Sequence, residues 1–333
     1  MNQTERNIRW ISSESPGLDW QSTVPNLILK LNLFLLPVHF LLSLFHFKIL
    51  WCLRSQVIYI FHLSICLTNL IYILTSWYPA FLHFLRPVEE YCYRSYTYFE
   101  ITVQLIFGTI RDSTIIYSNW IICYMAVYSG LGVFLETFQS SKVAFWNCVV
   151  VMVLSVFGAI NLWTKHKIRE VTLDFGCEIS FIALPEIRYA VVTPADYDRM
   201  YLMVLNLIRG VIRGPCYLYP AVLGFLLIML IVVMLKPGDR SQKTSSIVLS
   251  LCQTFTMLAC KLPDILIPFL HNLVNEKSLR ETTAQIAAWS TVAIIINQYL
   301  QIIICIVVSA KYRESGKMVF RRSERVVGVG GLQ

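Results

Sequence analysis

Seven stretches of about 20 or more mostly apolar residues follow one another along this chain, and that repetition leaves few folds open to it. A helix rises 1.5 Å per residue, so roughly 20 residues cross the ~30 Å hydrocarbon core of a bilayer. The runs are Asn26 to Leu50, Gln56 to Trp77, a third within Tyr96 to Phe138, Ala144 to Trp163, Tyr201 to Leu235, Ser246 to Leu270 and Ala284 to Ala310. They predict an all-α membrane protein, a seven-transmembrane-helix bundle. The third run is the awkward one, because it contains Glu100, Arg111 and Asp112. As a single helix it would be roughly 60 Å long, twice the hydrocarbon core. Either its start is loop, or the helix stands well clear of the membrane. A division into two spans is rejected, because Ile110 to Ser118 has no Gly or Pro turn signal and no polar loop.

Composition agrees: 56% of residues are hydrophobic and 14% charged, against roughly a quarter charged in soluble domains. The net charge of +8 does not point to nucleic acid, since the basic residues gather at helix ends and in the C-terminal tail, where they suit a lipid surface. Seven spans and their loops form one domain, residues 26–313, between an N-terminal tail (1–25) and a C-terminal tail (314–333). Residues 1–25 show no basic start followed by a short apolar core, so the first helix is expected to act as the insertion signal.

With the N-terminus outside, the inner loops hold Arg54, Lys142, Lys236, Arg240 and Lys243, and the tail adds six more basic residues between Lys311 and Arg325. The outer loops mix both signs. This asymmetry predicts N-out, C-in. Asn2 then lies in an outward-facing Asn-Gln-Thr glycosylation sequon. Lys311 to Arg322 interleaves basic residues with Tyr312, Met318, Val319 and Phe320, which predicts a short amphipathic helix on an anionic leaflet. The Gly-rich stretch 327–331 is expected to be disordered.

Eight of the ten cysteines lie in or beside the spans, where Cys behaves as a small hydrophobe. Only Cys92 and Cys177 fall in loops, both on the expected outer side, and this suggests a disulfide; two unrelated thiols is the other reading. The six histidines show no metal-ligand spacing, and no phosphate loop or nucleophile motif occurs. The chain is not expected to be an enzyme or to hold a cofactor.

Several strings then resemble one family. They are Leu44-Phe45-His46-Phe47-Lys48-Ile49-Leu50, Ile110-Arg111-Asp112 with Ser118-Asn119-Trp120, and Met125-Ala126, followed by Pro215-Cys216 and Tyr219-Pro220, Ser241-Gln242-Lys243-Thr244-Ser245, and Ser309-Ala310-Lys311-Tyr312-Arg313. In order and spacing, from about residue 30 to 320, they resemble the nematode serpentine chemoreceptors of the Srw class. That class is similar to receptors for FMRFamide-like peptides among the rhodopsin-like G-protein-coupled receptors. The resemblance implies a peptide or small-molecule ligand outside, a heterotrimeric G protein inside, and a place at the cell surface, for example in sensory-neuron cilia. The switch positions of rhodopsin-like receptors are altered. The helix-three Arg falls on Ser129, the helix-two Asp on Asn69, and the helix-six aromatic on Lys261 with Pro263 kept; the seventh-helix Asn-Pro-x-x-Tyr reads Asn297-Gln298-Tyr299-Leu300-Gln301.

Charges inside a membrane are costly, so each is a candidate site. Arg111 and Asp112, Arg209 and Arg213, and Lys261 and Asp264 fall in the outer halves of the third, fifth and sixth spans, which enclose the ligand cavity in receptors of this fold. Their surplus of positive charge suits an acidic ligand or a peptide carboxylate. The other reading pairs Arg111 with Asp264 or Arg213 with Asp112, simply holding helices together. Pro220 and Pro263 lie mid-helix, where they act as hinges or as static kinks. Two further classes stand beside the receptor reading: a transporter or channel subunit, and a receptor-derived protein that no longer signals.

Overall fold

A computed structural model describes residues 19–85, 97–132, 134–135, 140–163, 167–171, 188–192, 199–235, 241–270, 293 and 295–329. In chain order the elements are α1 (Asp19–Cys52), α2 (Val57–Leu85), α3 (Tyr98–Leu131), α4 (Ser141–Trp163), strands β1 (Lys167–Val171) and β2 (Arg188–Val192), α5 (Arg199–Leu235) and α6 (Ser241–Leu270). They are followed by α7 (Ile295–Val308) and α8 (Ala310–Val329). Helices α1 to α7 form the expected bundle and α8 is the tail helix. It extends to Val329, so the stretch expected to be disordered from 327 begins as helix. The two strands, which hydropathy did not signal, pair antiparallel with Lys167 opposite Val192 and Val171 opposite Arg188.

Five helices carry windows long and apolar enough to cross a membrane: Leu35–Cys52, Val57–Trp77, Ser141–Ile160, Tyr217–Leu235 and Thr244–Leu262. A sixth candidate is the pair Ile295–Val308 and Ala310–Val319, bent by 101° at Ser309. Helix α3 fails on apolarity, and its position explains why. It packs against α2, α4, α5 and α6, and β2 lies on it as well. Protein rather than lipid surrounds it, so it keeps polar residues that an outer helix would lose.

Polar side chains of α3 bond to a different neighbour at each level. Ser118 meets Thr68 of α2 at 3.3 Å, and the Tyr219 hydroxyl of α5 donates to Asn119 Oδ1 at 3.2 Å. Asn147 of α4 donates to the Tyr128 hydroxyl, and Ser129 meets Ser250 of α6 at 2.6 Å.

The start of α3 is fixed by a capping box. Thr97 Oγ1 accepts from the Glu100 amide at 3.2 Å, and Glu100 Oε2 accepts from the Thr97 amide at 2.9 Å. Thr97 therefore stands outside the helix, and the 34 residues that follow measure about 51 Å. That length exceeds the ~30 Å hydrocarbon core. Its first three turns bury only Ile101, whereas burial is nearly continuous from Ser113 to Ala126.

At the other end of α3, a Cβ on Gly130 would enter the ring of Phe225 on α5, so only glycine allows this approach. Gly130→Val is expected to destabilise the protein by about 1–3 kcal/mol through overpacking, read as a lower thermal midpoint in detergent. A wild-type midpoint would show that Phe225 swings aside at no cost.

Candidate functional site

The middle of the bundle holds a small cavity of about 30 Å³ between α2, α3, α6 and α7, lined largely by polar residues. Each helix supplies residues three or four apart, the spacing that stacks side chains on one face. Asn69 and Tyr72 come from α2, Thr114 and Ser118 from α3, Met257 and Lys261 from α6, and Asn297, Gln298 and Gln301 from α7. All nine are buried, Lys261 being only 6% exposed.

A ladder of amides joins α2 to α7. Asn69 Nδ2 donates to Gln301 Oε1 at 2.9 Å, and Gln298 Nε2 donates to Asn69 Oδ1 at 3.2 Å. Asn297 Nδ2 donates to the Met257 sulfur at 3.4 Å, tying α7 to α6. Two acceptors in this cluster, Asn297 Oδ1 and Gln298 Oε1, are buried without a hydrogen-bond partner among the described residues. His39 of α1 stacks on Tyr299 of α7 with ring centroids 4.7 Å apart, closing the ring of helices around α3.

Arg111 and Asp112 are half-buried one helical turn from Ile115, which also lines the cavity. The charges of both act on the Tyr72 hydroxyl. Four residues expected to matter, Arg111, Asp112, Lys261 and the switch position Asn69, thus lie around Tyr72. Asn297, a second altered switch position, joins them. Pro220 is exposed within α5, which continues through it, and α6 continues through Pro263. The side chains of Arg209, Arg213, Pro263 and Asp264 lie outside the described residues, as do Asn2, Cys92 and Cys177.

Sequence reasoning passed over Gln298 and Gln301. Their signal was present, because uncharged amides four and three residues from neighbouring polar positions in an apolar span mark a helix face turned inward. Ser129, which stands where the helix-three Arg would fall, bonds Ser250, so a neutral hydroxyl pair links α3 and α6.

A second cavity of about 310 Å³ opens at the end of the bundle that carries α8. Gln56 and Tyr59 before and on α2, Ser245 and Ser246 on α6, and Ser309 and Lys311 at the α7–α8 elbow line it. The elbow is firmly held. Tyr59 hydrogen-bonds Ser309, whose Oγ accepts from the Tyr312 amide at 3.0 Å. The Tyr312 hydroxyl meets His46 Nδ1 of α1 at 2.6 Å, and Arg313 donates to the carbonyls of Ile306 and Val307, both at 2.8 Å. The buried face of α8, Tyr312, Ser315, Gly316 and Val319, rests on α1. Its exposed residues include Lys311, Arg313, Lys317 and Met318, the amphipathic pattern the sequence predicted.

Residues 30–323 match the serpentine type 7TM GPCR chemoreceptor family Srw. The chain belongs to this family. No curated protein matches it. Membership makes this Srw chain a multi-pass membrane protein of a receptor family rather than of an enzyme family, and its seven-helix bundle agrees.

Proposed function

We propose that this Srw protein is a chemosensory or peptide receptor that binds its ligand within the helix bundle and signals to a heterotrimeric G protein. The observation that carries this reading is the pairing of two cavities across the bundle. The central one is lined in part by Lys261, and the larger one lies at the α8 end. Asn69 of the first and Tyr59 of the second are ten residues apart on α2, about 15 Å. In this reading the N-terminus faces outside and α8 lies on the cytoplasmic leaflet of the plasma membrane, as in a sensory cilium. Ligand enters past Arg111, Asp112 and Tyr72, with Arg209, Arg213 and Asp264 completing the entrance, and a Cys92–Cys177 disulfide and a glycan on Asn2 mark that side. The FMRFamide-receptor likeness of the sequence supports a peptide among the candidate ligands.

Helix α6 lines both cavities, so a ligand that favours one setting of α6 shifts the population of open α8-end cavities. Ser129–Ser250 is then a neutral latch between α3 and α6, with Pro220 and Pro263 as hinge positions. The test is nucleotide exchange on a panel of heterotrimeric G proteins, with the receptor reconstituted in vesicles and challenged with peptides and small odorants. Ligand-dependent exchange is the expected result. Binding without exchange on any G protein would favour a receptor-derived protein that no longer signals.

A further inference from the structure

Gln253 of α6 is wholly buried, and neither its amide nitrogen nor its amide oxygen has a hydrogen-bond partner among the described residues. A buried amide left so is costly, because it has given up water and gained nothing in return. The register of the helices shows where a partner stands. Asn297 Nδ2 of α7 donates to the Met257 sulfur of α6. Twelve residues before Met257 and twelve after Asn297, Ser245 and Ser309 line one cavity at the α8 end. Helices α6 and α7 are thus antiparallel and in step. Gln253 is four residues before Met257, and Gln301 is four after Asn297. Residues four apart share a helix face, so the two glutamines stand at one level of the bundle. Gln301 Oε1 already accepts from Asn69 of α2 at 2.9 Å. What Gln301 has left for a neighbour on α6 is its N–H group, and the Gln253 oxygen is an acceptor.

Resting on the reading of α6 as the helix that couples the two cavities, we propose that Gln253 and Gln301 pair in a second setting of α6. The pairing extends the amide ladder from α2 and α7 onto α6, and it narrows the cavity at the α8 end. In the described setting α6 is tied to α3 by the Ser129–Ser250 bond at 2.6 Å, three residues from Gln253. That setting keeps the hydroxyl pair and strands the amide. Drawing α6 towards α7 at the level of Gln253 satisfies the amide. It also carries Leu249, Ser246 and Ser245 towards Val308 and Ser309, which line the same cavity of about 310 Å³. The two settings exchange one interhelical hydrogen bond for another, a difference small enough for both to be populated. Whatever enters the α8-end cavity competes with the paired setting. Gln253 is the restraint that closes this cavity, and Ser250 is the one that holds it open.

The test is disulfide cross-linking of the full-length protein in detergent, with Ser245→Cys and Val308→Cys placed in the lining of that cavity. A disulfide needs Cα atoms within about 7 Å, so its rate of formation under mild oxidation reports how often α6 closes on α7. Peptide mass mapping identifies the 245–308 pair among the native cysteines. Adding Gln253→Met keeps the length of the side chain and removes its amide. It is expected to slow the reaction about 3- to 20-fold, the factor for one interhelical hydrogen bond in a membrane. Adding Ser250→Ala instead is expected to speed it. A rate in Gln253→Met that is unchanged or faster overturns the proposal and leaves the amide to buried water. So does a rate in Ser250→Ala that is unchanged or slower, or a parent pair that never cross-links. Thermal midpoints of the reduced proteins check folding, and where Gln253→Met fails to fold, the Ser250→Ala rate decides alone. No ligand or G protein takes part, so failure here leaves the signalling reading standing.

Discussion

Replacing Lys261 with Met is expected to weaken agonist potency about 10- to 100-fold at matched surface expression, the loss of one charge-assisted hydrogen bond worth ~1.5–3 kcal/mol. Methionine keeps the length and flexibility of the side chain and removes only the ammonium. Lys261 lines the central cavity from α6 and is almost wholly buried, so its charge acts in a medium of low dielectric where a ligand oxygen is strongly held. Arg111→Ala is expected to lose less, because Arg111 is half-buried one turn farther along α3. Dose–response curves from cells expressing each variant give the measurement. Unchanged potency in both would remove these residues from the ligand site and leave them as structural charges.

The second large effect falls on stability. Asn69→Leu removes both rungs of the amide ladder at once, leaving Gln298 Nε2 and Gln301 Oε1 buried without their partner. Interhelical hydrogen bonds inside membranes contribute ~0.6–1.7 kcal/mol each, and stranding a buried group adds to the loss, so a drop of about 2–3 kcal/mol is expected. Denaturant titration of the protein in bicelles measures it. A variant within about 0.5 kcal/mol of wild type, the usual range for substitutions away from buried networks, would mean that the two glutamines find other partners and that α2 and α7 do not depend on Asn69.

The two effects separate binding from folding, although both residues line one cavity. Asn69 joins helices, its side-chain nitrogen bonded to Gln301 and its oxygen to Gln298. Asn297 and Gln298, by contrast, each keep one oxygen without a partner among the described residues. Native proteins leave few such atoms buried. The departures from the rhodopsin-like switch residues follow the same logic. Asn69, Lys261 and Asn297 form one polar cluster at a single level of the bundle, whereas Ser129 and Ser250 form a separate bond near its α8 end.

Much of the fold was legible in the sequence. Hydropathy located six of the helices from their long apolar runs, some of which face outward; α4 exposes Trp146, Leu154 and Phe157, and α5 exposes Ile228, Ile231 and Leu235. The same measure failed at α3, which is enclosed by its neighbours and is under no demand from lipid to be apolar. The strands β1 and β2 were missed for a related reason, since five-residue segments in a loop carry too little periodicity to announce themselves. The site was half legible. Charge in an apolar run singled out Arg111, Asp112 and Lys261, but nothing along the chain marked Gln298 or Gln301 as their neighbours.

The sequence by itself determined that this chain lives in a bilayer, that it crosses as a bundle of seven helices, that a basic amphipathic helix follows, and that Lys261 demands an explanation. Those properties depend on transfer free energies summed along each segment, and a one-dimensional pattern contains them. Only the tertiary structure decided which polar groups meet. The Asn69 ladder to α7, the Ser129–Ser250 bond and the His46–Tyr312 bond that holds α8 to α1 each join residues more than 100 positions apart. Their meeting depends on how every helix is rotated about its axis, and packing sets that rotation.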